Sequence, residues 1–298
     1  MRYLPVACTV FLALFFSGSL NAQPLGHPDT VKLSPRQKAE LFLFKKEYDK
    51  ALKSFRALLE KGENDSYVVR GLVQAYKGAE KLDEGADYIK KQLDQNPGSS
   101  TFLYGLGYAN YLQGRQEDAE RLLLQAIETN PRNALALNTL GAVKVMRKSF
   151  DEAARFVKKA IEVEPERLMF FHNLKNVYDK EGLPDKFRKE YEDYKKGSSP
   201  EIAAGYGKVL ARALRQEGFK QYSQGQLDGA VKKFDELTKI YREINYKEGL
   251  VPGLFSLGLL LEEKKDIPAA IKYFREVLEL SPKHIQARER LKALAPPD

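Results

Sequence analysis

Tryptophan is absent from this chain, and cysteine occurs once, at Cys8. Once the apolar run that contains Cys8 is removed, no disulfide, thiolate nucleophile or cysteine–metal site remains possible. Histidine is nearly as scarce. His27, His172 and His284 sit in different predicted elements, none with a second ligand at metal spacing, and there is no HExxH, so no metal is expected. Each of the three reads instead as a solvated or groove-lining imidazole. The glycines form no GxxxxGK[ST] and no loop after a strand, and GxSxG is absent; no nucleotide or other cofactor is expected. A long block of one charge is missing too. The net charge is +8, but both signs are mixed along the chain, so nothing tracks a phosphate backbone and no nucleic-acid partner is expected. Acidic pairs such as Asp151-Glu152 and Glu262-Glu263 read as solvated faces. With no set of nucleophile, base and oxyanion donors, the sequence predicts no catalytic residue and no enzyme.

Long apolar stretches are missing with one exception. Leu4 to Phe16 is an apolar run of 13 residues, preceded by Arg2 and followed by SGSLNA. That order is the layout of a secretory signal over residues 1–22, cut after Ala22. The run is shorter than the roughly 18–20 residues needed to cross a bilayer, which favours cleavage over a retained anchor. Cys8 lies inside the run and not just after it, which argues against a lipid anchor. Removal of the segment takes Arg2 away, so the charge falls from +8 to +7. A cysteine-free mature chain suits an oxidising compartment. The expectation is an exported protein, in the periplasm ahead of release or signal anchoring, with no transmembrane span in the mature chain.

What is present is repetition. Pro97, Pro131 and Pro165 stand 34 residues apart, twice over. Leu106-Gly107 recurs as Leu140-Gly141, Ala119 as Ala153, and Ala126 as Ala160. Leu72, Tyr76 and Ile89 keep the same register, as do Ala51 and Phe55. Between these marks, ALALNTLGAVKVMRK and SFDEAARFVKKAIEVEP carry apolar residues at three- and four-residue spacing, the pattern of amphipathic helices. A proline closes each pair because it cannot continue a helix. The unit is a helix–turn–helix whose leftover apolar surface the next unit covers, which makes a solenoid.

The pattern resembles the tetratricopeptide repeat, W-x2-L-G-x2-Y…A-x3-F…P. Its best copies are LYGLGYANYLQGRQEDAERLLLQAIETNP (103–131) and LNTLGAVKVMRKSFDEAARFVKKAIEVEP (137–165). Leu103, Leu137 or Phe171 replaces the leading Trp, and Asn110 and Lys144 replace the Tyr. The fold expected is all-α, a right-handed α-solenoid of about seven helix–turn–helix repeats with a C-terminal capping helix. The layout is a signal over 1–22, a flexible linker over 23–31, five 34-residue repeats over 32–199, two longer repeats over 200–282, and a capping helix and tail over 283–298. The fifth repeat is degenerate, with Phe187 and Tyr194 where small residues belong. KKGSSPEIAAGYG breaks the phase; Ser199-Pro200 reads as a helix start, with the helix running to about Tyr222. Two later units align at a period of 40, Gly218 with Gly258, Ala230 with Ala270 and Phe234 with Phe274, joined by the linker INYKEGLVPGLFSLG.

In such a stack the first helices line a concave surface. Tyr104, Tyr108 and Tyr111 share one face, about 100° from the Leu103/Leu106 stripe. The same register gives Tyr67, Arg70 and Gln74 in the second unit, Asn138 in the fourth, His172 and Asn176 in the fifth, and Arg215 in the sixth. These ten residues are the expected groove. Tyrosine and arginine anchor interfaces, and the tyrosine stripe faces either a ligand or the neighbouring helix. The carboxylate clamp of some family members fails here, since Gly105 stands where an asparagine is needed. The resemblance implies a non-catalytic scaffold or adaptor for protein or peptide partners in the cell envelope, binding extended segments. The alternatives are a structural subunit of a secretion, pilus or polysaccharide-export complex, or a regulator of cell-wall enzymes.

Overall fold

The structure, a computed structural model, describes residues 33–294. The expected signal, the linker that follows it, and His27 lie outside the described residues. Among the described residues there are fifteen helices and no strand. They fall into two compact units, 33–193 and 194–294.

The first unit pairs α1 (Pro35–Phe44) with α2 (Tyr48–Glu60), α3 (Ser66–Gly78) with α4 (Leu82–Gln95), and α5 (Ser100–Leu112) with α6 (Gln116–Thr129). It continues with α7 (Ala134–Met146), α8 (Phe150–Val163), α9 (Leu168–Glu181) and α10 (Pro184–Lys196). Several first helices start on a side-chain cap, which satisfies backbone N–H groups that have no intrahelical partner. Ser34 and Gln37 form a reciprocal capping box at α1, Asp65 accepts from the Tyr67 and Val68 amides at α3, and Asn133 accepts from the Ala136 amide at α7.

Each turn from first to second helix passes through one left-handed residue: Lys46 (φ 60°), Glu80 (60°), Gly114 (77°), Lys148 (60°) and Gly182 (85°). These positions keep the 34-residue period. Glycine takes this conformation freely, whereas Lys or Glu carries strain of roughly 1–2 kcal/mol.

Within a pair the helices approach closely. A Cβ on Gly141 would lie 2.5 Å from Val157 Cγ2 and 3.1 Å from the Ala153 carbonyl oxygen. That approach explains the recurring Leu-Gly of the sequence. Where the pattern loses its tyrosine, the replacements find local partners. Asn110 Nδ2 donates to the Leu106 carbonyl at 2.9 Å. Lys144 reaches Glu120 on α6 at 2.8 Å and Glu152 on α8 at 2.6 Å. In the degenerate pair, Phe187, at a place where a small residue belongs, is fully buried, as is Tyr191, while Tyr194 is half-buried.

The first helices touch one another along the unit: α1 meets α3, α3 meets α5, α5 meets α7 and α7 meets α9, while successive second helices make no comparable contact. Helices that crowd on one side and spread on the other make the stack curve toward the crowded side. The first helices therefore form the inner layer.

The second unit comprises α11 (Pro200–Ser223), α12 (Leu227–Glu243), α13 (Lys247–Glu263), α14 (Ile267–Leu280) and α15 (Ile285–Leu294). Its turns from first to second helix pass through left-handed Gly225 (φ 75°) and Lys265 (69°), 40 apart like the rest of this register, and Asn245 (51°) is left-handed between α12 and α13. The aligned glycines and phenylalanines meet each other: a Cβ on Gly218 would lie 2.8 Å from the Phe234 ring, and one on Gly258 2.7 Å from that of Phe274. The expected linker INYKEGLVPGLFSLG is not a linker. Most of it is α13, with a short turn before it, and the extra residues lengthen α12 and α13 to 17 residues each. Pro252 is exposed within α13; its fixed φ suits a helix, at the loss of one backbone hydrogen bond. At the end, α15 is tied back by Arg290 to Glu262 on α13 at 3.1 Å. His284 is its cap and not a solvated imidazole. Its Nδ1 accepts from the Ala287 amide at 3.2 Å and its ring packs 4.8 Å from that of Phe255.

Candidate functional site

The inner layer of residues 33–193 holds nine of the ten expected groove residues; Arg215 lies on α11, in the other unit. On α3 and α5 they form one cluster. The Arg70 guanidinium stacks 4.9 Å over the ring of Tyr108, and Gln74 Nε2 donates to the Tyr108 hydroxyl at 3.3 Å. Tyr104, Tyr108 and Tyr111 stack in sequence, with ring centroids 5.9 Å and 6.3 Å apart.

The tyrosine stripe does not stand open to a ligand. Tyr104 is fully buried and Tyr108 is 6% exposed; Tyr111 is half-buried. Arg70 and Thr139 lie nearest the Tyr104 hydroxyl, but neither meets it at hydrogen-bonding geometry, and burial holds its pKa above the ordinary tyrosine value. Asn138 is likewise 4% exposed, and its Oδ1 accepts from Asn173 Nδ2 at 2.8 Å. The physical reason is shared. First helices of neighbouring pairs touch, so a position about 100° from the core stripe faces the next first helix. On this layer Tyr67, Arg70, Gln74, Tyr111 and His172 keep partial exposure, and Asn176 is exposed.

Tyr67 has a different surrounding. Its hydroxyl donates to the Glu164 carboxylate, which lies between α8 and α9. Its ring is flanked by Arg167 at 4.4 Å and Arg36 at 5.8 Å. Burial, with the Glu164 hydrogen bond second, raises the Tyr67 pKa well above its ordinary value. Glu164 also accepts from Arg167 Nε at 3.2 Å, and Arg36 pairs with Asp65 at 2.9 Å. Nearby, Asn133 Nδ2 reaches the Ser66 and Ser100 hydroxyls at 3.2 Å and 3.0 Å, joining the starts of three first helices.

Reading one helix at a time missed Glu164, Arg167, Arg36 and Asn133, because their partners lie one to three repeats away. Ser66 and Ser100, one period apart, carried a trace of this row. Among the described residues no three His, Asp, Glu or Cys side chains converge as metal ligands, and no helix is long and apolar enough to cross a membrane.

Two tetratricopeptide repeat family models match the chain, one over residues 70–131 and 113–166, the other over 251–284. No curated protein matches it. Among solved structures, MamA protein is 22% identical, with 53% of this chain and 86% of that chain covered at a TM-score of 0.37. YrrB, described as a TPR protein with an unusual peptide-binding site, is 19% identical over 70% of this chain and 99% of its own, TM-score 0.36. The C-terminal part of a TPR repeat-containing protein from Cytophaga hutchinsonii is 16% identical over 87% and 99%, TM-score 0.38.

Proposed function

We propose, the chain being a tetratricopeptide-repeat protein, that it is a non-catalytic scaffold of the cell envelope that holds extended segments of partner proteins against the inner layer of residues 33–193. The observation that carries this reading is the direct contact of successive first helices from α1 to α9. It builds one continuous surface on which Arg70, Gln74, Tyr111 and Asn176 remain accessible. Arginine, tyrosine and amide side chains suit the backbone and side chains of a peptide. Mixed charge along the chain favours a protein over a nucleic acid. Export rests on the order of Arg2, the apolar run and SGSLNA within residues 1–22.

The test is cell fractionation combined with crosslinking in intact cells, followed by pull-down of the chain. Recovery with the periplasmic contents, joined to envelope proteins through peptides of the first helices, is the expected result. Retention in the cytosol contradicts the envelope role. Crosslinks confined to second helices favour a structural subunit of an envelope machine, which needs no groove.

A further inference from the structure

We infer that the recess around Arg70 reads an acidic side chain: it takes the carboxylate of an aspartate or glutamate within the bound segment. This rests on the reading that an extended segment lies along the inner layer, and it adds the chemistry of one position in that segment.

Arg70 has no carboxylate within ion-pairing distance among the described residues. Other arginines of the same unit do: Arg36 holds Asp65, Arg147 holds Glu120 and Arg167 holds Glu164. The guanidinium of Arg70 is nevertheless half-buried, surrounded by the neutral groups of Tyr104, Tyr108 and Gln74. A charge withdrawn from water without a counter-charge is unfavourable, so such a site gains when an anion arrives. The guanidinium carbon of Arg70 stands 4.9 Å over the Tyr108 ring, and a guanidinium carries its N–H donors in a fork geometry that matches a carboxylate.

A second observation fixes where the acidic residue sits in the segment. The site lies inside the row of first helices, which extends from α1 before it to α9 beyond it. The residue met there is internal to an extended segment, and one guanidinium matches one side-chain charge.

The experiment uses the full mature chain and synthetic libraries of twelve-residue peptides, one set amidated at the C-terminus and one with a free carboxylate. The expected result is enrichment of Asp or Glu at one position in the amidated set. Arg70→Gln then weakens a selected acidic peptide by roughly ten- to a hundred-fold, as for a lost charge-assisted hydrogen bond, and leaves its amide counterpart unchanged. Circular dichroism checks that the variant folds. If Arg70→Gln fails to fold, Arg70→Lys carries the test: it keeps the charge without the fork, so affinity for the acidic peptide falls several-fold while the amide counterpart is unmoved. An acidic preference that survives Arg70→Gln, or acidic affinity unchanged in Arg70→Lys, overturns the inference, as does selection with no acidic preference; all three leave the binding surface standing. Acid dependence confined to free-carboxylate peptides overturns it by moving the charge to a chain end. Selection of no peptide at all overturns both this inference and the surface.

Discussion

The hydroxyl of Tyr67 donates to the carboxylate of Glu164, 97 residues further along the chain. A solenoid whose units met only their neighbours would hold no such bond. It fastens the start of α3 to the turn before α9. Tyr67→Phe keeps the ring between its arginines and removes only the bond. The expected loss is about 1.5–3 kcal/mol, the range for a hydrogen bond to a charged group, read from the denaturant midpoint. A double-mutant cycle with Glu164→Gln should show coupling; additive effects would mean that the bond does not contribute.

Tyr104 separates packing from recognition. The ring is fully buried, so Tyr104→Ala should cost about 3–5 kcal/mol, as large core truncations do. Tyr104→Phe removes a hydroxyl that has no hydrogen-bond partner and should leave stability nearly unchanged or slightly raised. Thermal melting of the two variants checks this. A Tyr104/Tyr108 double alanine would lose the fold along with any binding, so it cannot test the groove.

Lys148 holds a left-handed turn position that Gly114 and Gly182 hold one period to either side. Lys148→Gly should stabilise the first unit by about 1 kcal/mol, the relief of strain less the entropy of the glycine. Chemical denaturation reads it. A destabilised variant would show that the lysine side chain contributes there.

His284 predicts a pH dependence. Burial lowers its pKa below the ordinary histidine value, and its Nδ1 accepts the Ala287 amide only when that nitrogen is unprotonated. The unfolded chain therefore binds the proton more readily than the folded one. The stabilising contribution is present above about pH 6.5, the unperturbed histidine value, and is lost as pH falls toward the lowered folded value. His284→Asn keeps a good helix cap and does not titrate. Between pH 7 and 5 its melting curve for residues 194–294 should shift less than that of the parent chain.

The fold was legible because its signals are local and periodic. Pro97, Pro131 and Pro165 close the hairpins, and Leu106-Gly107 with Leu140-Gly141 marks where two helices meet. The long helix from Pro200 was readable from Ser199-Pro200, and it ends at Ser223. INYKEGLVPGLFSLG misled because its proline and glycines look like loop chemistry, while the buried run from Leu254 to Leu261 pulls it into helix. The candidate surface was legible only in part. The register picked the correct helices, but it could not show that neighbouring first helices touch. That contact buries Tyr104, Tyr108 and Asn138 and leaves Arg70, Gln74, Tyr111 and Asn176 among the reachable groups. The pairing of Tyr67 with Glu164 depends on the curvature of several stacked units and leaves no local mark.

A partner held on the first-helix face of residues 33–193 comes within reach of Gln74. The most direct measurement places a photo-crosslinking amino acid at Gln74, on that face, or at Leu124, which is exposed on the second helix α6, and irradiates intact cells. The expected result is a discrete adduct with a partner protein from Gln74 and none from Leu124. An adduct from Leu124 with none from Gln74 would contradict it.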